Sequence, residues 1–182
     1  MTEDSLIKKC ASGDSLAQKT FYEKFAGKMM GVCLRYAKNY DEAQDVMQDA
    51  FIKIFGKLSD YEKKGSLEGW VRRIVVNTAL DSYRKNKKHQ QNVDVDTVGY
   101  LLDSKSYIIE ELNANDLLSI IKTLPEGYKM VFNLFAIEGY SHKEIAERLG
   151  VTESTSKSQY SRAKKMLREL LVEQKIVEKG ER

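Results

Sequence analysis

The sequence predicts an all-α protein in which a flexible linker joins two small helical domains. Apolar residues recur every three or four positions over most of the chain, which is the spacing of one helix face. One proline and 11 glycines occur among 182 residues, fewer turn residues than a long β-protein needs. The helical spacing fails between His89 and Tyr107, so this stretch separates two helical blocks.

Composition excludes several classes of protein. No run approaches the roughly 20 apolar residues of a membrane-spanning helix, and the first ten residues carry acids without the apolar stretch of a secretory signal. We therefore expect a cytoplasmic protein. Two cysteines, Cys10 and Cys33, and two separate histidines, His89 and His142, are too few for a disulfide framework or a zinc site. Without a phosphate-binding glycine loop or a Ser-His-Asp pattern, we expect no catalytic residue, no metal and no cofactor.

The first domain is predicted to span residues 1–88. Its four helices are expected at Ser5–Lys9, from the cap Asp14 to Asn39, at Asp41–Leu58 and at Leu67–Lys88. A polar segment, Ser59–Ser66, separates the last two and is predicted to be a loop.

Residues 89–107 are predicted to be an acidic linker, because Asp94, Asp96 and Asp103 oppose only Lys105. The second domain then spans residues 108–182. Its helices are expected at Ile108–Thr123, Pro125–Glu138, His142–Leu149 and Glu153–Val177. A charged tail, Gln174–Arg182, is expected to fray.

The second domain carries the signals of a helix-turn-helix. Ser141 and Glu144 have the spacing of a capping box at the start of one short helix. Gly150 follows that helix, where a left-handed residue commonly ends one. Thr152 can cap the helix after it. Two helices joined by so short a turn are typical of this DNA-binding motif.

The helix after this turn has two different faces. An inward stripe is predicted at Ser156, Tyr160, Ala163, Leu167 and Leu170. Small hydroxyl and basic side chains occupy the opposite face, where they can approach a duplex, neutralise phosphates and bind base edges. They are Ser154, Lys157, Ser158, Ser161, Arg162 and Lys165, with Gln159 beside them as a possible reader of adenine. The alternative is a solvated basic helix, but the turn before it favours DNA binding.

The helix Leu67–Lys88 is basic on the face opposite its apolar stripe. Between Val71 and Lys88 there are six bases and one acid, and a second basic surface suggests two contacts along one polyanion. Three aromatic residues lie close to it in the sequence and can stack on unpaired bases. They are Tyr61, Trp70 and Tyr83. For Trp70, packing into the core is an equally good interpretation.

The helix Asp41–Leu58 has the opposite charge. Its outward face combines acids with an apolar residue at Ile52. Such a face repels DNA and suits a protein partner with a basic, partly apolar groove. An ordinary solvated face is the alternative that the residues alone leave open.

Both blocks together resemble the extracytoplasmic-function (ECF) RNA polymerase sigma factors of bacteria. The N-terminal resemblance runs from Phe21 to Lys88 and is strongest over Asp41–Phe55 and Gly69–Arg84. The C-terminal resemblance comprises Leu124–Glu126, Gly139–Val151 and Ser158–Leu167. The order and spacing of both blocks make it specific.

The resemblance implies a fold and a partner for each surface. The first domain would be a sigma region 2 bundle and the second a sigma region 4 helix-turn-helix. Region 2 would bind the coiled coil of the largest subunit of core RNA polymerase through Asp45, Gln48, Asp49 and Ile52. It would also trap a flipped base of the −10 promoter element with Tyr61, Trp70, Arg73, Asn77, Arg84 and the Ser59–Ser66 loop. Region 4 would read the −35 duplex with Ser154, Lys157, Ser158, Gln159, Ser161, Arg162 and Lys165.

The same resemblance implies promoter DNA and an anti-sigma factor as further partners, and an alternative sigma factor as the function. Two positions depart from the family pattern. Ser156 stands where an apolar residue is common, and Gln159 stands where a basic residue is common. A stand-alone helix-turn-helix regulator is the competing hypothesis, but it leaves the acidic helix and the second basic helix without a role.

Overall fold

The computed structural model describes residues 2–90 and 114–173, with side chains over 2–88 and 118–171. This part of the chain contains eight α-helices, which confirms the predicted all-α class. Two compact units divide the chain, Met1–Asn86 and Lys87–Arg182. The predicted linker from residue 91 onward, the start of the helix predicted at Ile108 and the tail beyond Glu173 lie outside the described residues.

The first unit contains α1 (Glu3–Ala11), α2 (Ser15–Tyr36), α3 (Tyr40–Lys57) and most of α4 (Leu67–Gln90). Helix α1 begins earlier than predicted because the Thr2 hydroxyl accepts a hydrogen bond from the backbone N–H of Ser5. Helix α2 ends earlier than predicted because Asn39 caps α3 instead, accepting from the backbone N–H of Glu42 at 2.8 Å.

Aromatic and aliphatic side chains from all these helices fill the core of the first unit. The rings of Phe21 and Phe25 lie 4.8 Å apart, and Phe21 also contacts Phe55 of α3. Helix α4 buries a wider face than the predicted stripe, because Val76, Ala79 and Leu80 are also buried. The predicted stripe comprises Leu67, Val71, Ile74, Val75 and Thr78. The described part of α4 is therefore a core helix with one outward strip.

Two polar contacts tie α3 to α4. The Asn86 amide donates to Glu42 at 2.7 Å, and the Lys53 ammonium lies 3.2 Å from the Asp81 carboxylate. A short 3₁₀ turn, Leu58–Asp60, follows α3 and overlaps the start of the Ser59–Ser66 segment predicted as loop, and its Leu58 is buried. The acidic and basic helices thus keep a fixed orientation within one unit.

The second unit contains α5 (Ala114–Lys122), α6 (Glu126–Phe132), α7 (His142–Leu149) and α8 (Glu153–Glu173). The single helix predicted over Pro125–Glu138 is wrong in its last part. A π-helical turn, Asn133–Ile137, follows α6, and the Glu138 N–H donates to the Asn133 carbonyl at 3.0 Å. A core cluster joins α5 to α8 through Ile120, Ile121, Leu124, Ala163 and Leu167.

The two cysteines are buried in the first unit as free thiols. Removal from water raises the pKa of Cys33 to about 11, so the thiol stays protonated at neutral pH. Burial also raises the pKa of the Cys10 thiol. Both therefore act as small apolar side chains in the core. Among the described helices, none has the length and hydropathy to cross a membrane.

Candidate nucleic-acid interface

Helices α7 and α8 form the predicted helix-turn-helix, and hydrogen bonds fix the turn between them. The capping box is complete: Ser141 accepts from the Glu144 N–H, and the Glu144 carboxylate accepts from the Ser141 N–H at 2.8 Å. Gly150 ends α7 in the left-handed conformation at φ +66°. The Thr152 hydroxyl accepts from the Thr155 N–H at 3.0 Å and starts α8. This rigid turn sets the angle of α8.

The outward face of α8 presents a strip of basic and hydroxyl side chains to solvent. Six of the seven residues predicted to read the −35 element are exposed on it. They are Ser154, Lys157, Ser158, Ser161, Arg162 and Lys165. The inward stripe of α8 is buried or half-buried from Ser156 to Leu170, so the two faces separate as the spacing predicts. Helix α8 has the surface chemistry that a DNA duplex requires.

Carboxylates on α8 form ion pairs with two of these lysine side chains. Lys157 lies 2.7 Å from Glu153, and Lys165 lies 3.9 Å from Glu169, each one helical turn away. The hydrogen bond from Lys157 holds the pKa of Glu153 below its usual value, so Glu153 is ionised at neutral pH. Arg162 instead donates to the Tyr128 hydroxyl at 3.4 Å. A DNA phosphate would therefore compete with carboxylates for the lysines.

A histidine on α7 provides the hydrogen-bond partner of the buried Ser156 on α8. Ser156 is fully buried, and its hydroxyl lies 2.9 Å from Nδ1 of His142 on α7. The imidazole of His142 stacks on the Phe135 ring with 4.2 Å between centroids, and Phe135 contacts Tyr160 of α8. The polar atom at this core position thus has a partner, and the pair joins α7 to α8.

Gln159 differs from the other predicted −35 residues. It is half-buried, and a Cβ built on Gly127 of α6 would lie 3.2 Å from its amide nitrogen. The Gln159 side chain therefore lies against the backbone of α6. Its amide group is therefore in contact with the protein itself.

The Ser59–Ser66 loop places two of the predicted −10 aromatics side by side. The centroids of the Tyr61 and Trp70 rings are 5.4 Å apart, and both side chains are half-buried. The Tyr61 hydroxyl donates to the Gly65 carbonyl at 2.8 Å, and the Ser66 hydroxyl caps α4 by accepting from the Gly69 N–H. Trp70 is therefore neither a core residue nor a free platform, and it forms the floor of an ordered loop.

The remaining predicted −10 residues lie along α4. Arg73 and Arg84 are exposed, and Asn77 is half-buried. The Arg84 guanidinium lies 2.6 Å from Asp81, which also holds Lys53. Asp81, the one acid in the predicted basic segment of α4, therefore neutralises part of the positive charge of that segment.

Helix α3 presents the predicted acidic face to solvent. Asp45, Gln48 and Asp49 are exposed, and Ile52 keeps 71% of its surface accessible. Within the described residues, Asp45 and Asp49 have no ion-pair partner. Two further aromatics of this unit are exposed: Tyr40 begins α3, and Tyr22 of α2 packs on Phe51 with centroids 4.7 Å apart. The face combines uncompensated negative charge with apolar side chains.

Sequence reasoning missed several contacts of these surfaces. The exposed aromatics Tyr22 and Tyr40 were not among the predicted surface residues. The partner of Arg162, Tyr128, is 34 residues away along the chain, and that of Ser156, His142, is 14 residues away. No local pattern identifies such pairs.

Both units match known family models. Residues 21–89 match Sigma-70 region 2, and residues 114–167 match Sigma-70, region 4. Three relatives extend this likeness. RNA polymerase sigma factor SigV of Bacillus subtilis is 31% identical over 133 residues, which covers 73% of this chain and 78% of that protein. ECF RNA polymerase sigma factor SigW of the same organism is 28% identical over 178 residues, 91% of this chain and 94% of the relative.

The third relative is longer. ECF RNA polymerase sigma factor SigE of Mycolicibacterium smegmatis is 29% identical over 168 residues, 88% of this chain but 65% of that protein. A solved structure of the sigma factor RpoE from Bartonella quintana, in complex with the anti-sigma factor NepR, shares the fold. It has a TM-score of 0.52 at 23% identity and covers 84% of this chain and 97% of that one.

A region 2 bundle followed by a region 4 helix-turn-helix defines the chain as a bacterial sigma factor of the Sigma-70 type. Within that class, the chain belongs to the ECF family of RNA polymerase sigma factors. The predicted resemblance is thereby confirmed.

The His142–Ser156 contact generates a prediction about stability. Ser156→Ala should lower the free energy of unfolding of the second unit by about 1–2 kcal/mol, because it removes the partner of a half-buried ring nitrogen. Urea titrations followed by circular dichroism measure this, while Trp70 fluorescence reports the first unit separately. Ser158→Ala is the matched control, since the Ser158 hydroxyl is exposed and bonds only to the backbone of its own helix. Equal losses in both variants would contradict the proposed role of the pair.

Proposed function

We propose that this chain is an alternative sigma factor that recruits core RNA polymerase to promoters whose −35 and −10 elements it reads itself. One observation carries the proposal: the chain combines two outward basic helix faces, on α8 and α4, with an outward acidic face on α3. A polyanion and a protein with a basic groove are the partners that such surfaces fit. We assign region 2 to residues 1–88, an acidic linker to 89–107 and region 4 to 108–182.

The −35 element is assigned to α8. In a helix-turn-helix the N-terminal part of the second helix contacts base edges in the major groove. Ser154, Lys157 and Ser158 occupy that part, while Arg162 and Lys165 lie one and two turns further on, where phosphates run. Arginine and lysine favour guanine edges and phosphates, whereas the short serines allow close approach. Gln159 reads a base only after leaving its contact with α6.

The −10 element is assigned to α4 and the Ser59–Ser66 loop. Unstacking a base from the duplex costs a few kcal/mol. Stacking on an aromatic ring returns about 1–3 kcal/mol per base, and phosphate contacts from Arg73 and Arg84 add to this. Asn77 supplies an amide for the edge of the captured base. Binding energy can thus open the strands without nucleotide hydrolysis, and the chain needs no catalysis of its own.

The acidic face of α3 is assigned to core polymerase. Asp45 and Asp49 supply charge for a basic partner, and Ile52 supplies the apolar centre that a stable interface needs. The acidic linker would pass between basic walls of the enzyme and leave when RNA fills the same path.

Other members of the family suggest one more partner and a location. The relative whose fold this chain shares is bound to an anti-sigma factor. We propose that an anti-sigma factor also controls this chain, by covering its DNA-reading faces. Polymerase and chromosome share the bacterial cytoplasm, so we place the protein there.

Transcription with purified core polymerase tests the function directly. Adding the protein should create start sites on genomic DNA that core enzyme alone does not use, with a shared pair of sequence elements upstream. Mapping the 5′ ends of transcripts with and without the protein measures this. Binding to a palindromic operator without any new start site would favour the stand-alone regulator instead.

The basic face of α8 should control affinity for the upstream duplex. Lys157→Ala combined with Arg162→Ala should weaken binding by about tenfold or more, since one base contact contributes about 1–3 kcal/mol. The slope of log affinity against log salt should also fall by about 1–2, one for each lost phosphate contact. Fluorescence anisotropy at several salt concentrations measures both. The control is Lys19→Ala with Lys122→Ala, which removes two exposed charges from α2 and α5, and an equal loss there would contradict the assignment.

The acidic face of α3 should control assembly with polymerase. Reversing Asp45 and Asp49 to lysine should abolish co-purification with core enzyme, because like charges would then meet at the interface. Affinity for the isolated −35 duplex should not fall in the same variant. The control is Glu23→Lys with Glu147→Lys, which makes the same change in net charge on α2 and α7 and should leave co-purification intact. Retention of core enzyme by the α3 variant would remove α3 from the interface.

A further inference from the structure

Helix α1 has no role in the function proposed above, and it precedes the segment that matches region 2. Its apolar side chains Leu6, Ile7 and Cys10 are buried in the first unit. The helix packs against α2, α3 and the 3₁₀ turn Leu58–Asp60 that opens the Ser59–Ser66 loop. It therefore forms the support on which this loop begins.

A charged contact joins α1 to the middle of the same loop. The Lys63 ammonium lies 2.7 Å from the Asp4 carboxylate. This hydrogen bond holds the pKa of Asp4 below its ordinary value, so the carboxylate is charged at neutral pH. Lys63 has φ +57° and is the one non-glycine residue with positive φ in the described chain. Because L side chains disfavour this conformation, something must hold the loop in it.

The rest of the loop is tied to itself and to α4. The Tyr61 hydroxyl holds the Gly65 carbonyl, the Tyr61 ring packs on Trp70, and Ser66 caps α4. These contacts fix the two sides of the loop. The Asp4–Lys63 pair links its tip to a separate helix.

We propose that α1 is a brace for the Ser59–Ser66 loop, with Asp4 as a positioning residue that acts through Lys63. The brace holds Tyr61 and Trp70 in the geometry that receives an unstacked base. The role in base capture rests on the proposed function, whereas the effect on loop geometry does not. Both partners of the ion pair are more than half exposed, so the pair biases the loop and does not lock it.

Trp70 gives a direct measure of this geometry, because it is the only tryptophan in the chain and it contacts the loop through Tyr61. In Asp4→Lys, the Trp70 emission should shift to longer wavelength and acrylamide should quench it more strongly. The double variant Asp4→Lys with Lys63→Glu restores the opposite charges and should restore the wild-type signal. This readout contains no DNA, so it is unaffected by any direct contact of Lys63 with a phosphate.

The adjacent residue supplies the matched control. Glu3 also lies in the first turn of α1, is similarly exposed, and pairs with Lys24 of α2 at 3.3 Å. Glu3→Lys therefore makes the same charge change and the same loss of interaction with the helix dipole, without touching the loop. It should leave Trp70 fluorescence unchanged. Unchanged fluorescence in Asp4→Lys, or an equal change in Glu3→Lys, would overturn the brace.

Promoter opening tests the functional half of the inference. With core polymerase, the permanganate reactivity of −10 thymines should fall by about two- to fivefold in Asp4→Lys, the range expected for loss of one exposed ion pair. It should stay at the wild-type level in Glu3→Lys, and −35 duplex affinity should be the same in all variants. If Asp4→Lys changes Trp70 but opens promoters normally, the positioning role is wrong. If the wild type opens no promoter, the proposed function fails, while the fluorescence result still decides whether α1 braces the loop.

Discussion

The apolar face of each helix in the first unit has to be buried, and this constraint decides where every charged side chain can lie. Helix α3 buries Val46, Met47 and Ile54, so its acids can only face outward. Helix α4 buries a still wider face, which leaves one narrow strip for Arg73 and Arg84. Two polar contacts between α3 and α4 then fix the acidic and basic surfaces at separate places on one rigid body. A sigma factor needs this separation, because an acidic face beside the DNA path would oppose binding.

The charge available to DNA is smaller than the residue count suggests. Asp81, Glu153 and Glu169 each lie against a base that is proposed to contact DNA. Binding would exchange a carboxylate for a phosphate at these positions, and an ion pair exposed to solvent contributes little to stability. The exchange therefore costs little free energy, but it lowers the affinity that Arg84, Lys157 and Lys165 can each add. Arg162 is bound by the neutral Tyr128 hydroxyl, so it gives up a weaker interaction when it binds DNA. Arg162 should therefore contribute more to DNA affinity.

Local sequence signals predicted the fold well because they act over a few residues. The capping box of Ser141 and Glu144 and the left-handed Gly150 were each predicted from spacing and are present. The π-helical turn at Asn133–Ile137 was missed, since one wider turn hardly alters the spacing of apolar residues. Asn39 was missed as the N-cap of α3 because Asp41, two positions later, is also a residue type that favours the start of a helix.

Long-range contacts were not predictable from spacing, and they determine the details of the candidate site. Tyr61 and Trp70 were both selected as stacking residues, but their mutual contact depends on how the Ser59–Ser66 loop folds. Asp4 and Lys63 are 59 residues apart in the sequence, and they belong to elements that periodicity treats separately. Exposure of the basic and acidic faces followed from the helix period, whereas the partner of each charge did not.

The two departures from the family pattern have a common physical explanation. Ser156 places a hydroxyl where a core side chain is common, and His142 on α7 supplies its hydrogen-bond partner. Gln159 stands where, by the family resemblance, a basic residue is common, and its amide lies against Gly127 on α6. Both residues lie where α8 packs against the preceding helices, and each contacts a neighbour there. The Gln159 side chain is half-buried and lies against the protein. The sequence preference of α8 should therefore depend on Lys157, Ser158 and Arg162 more than on Gln159.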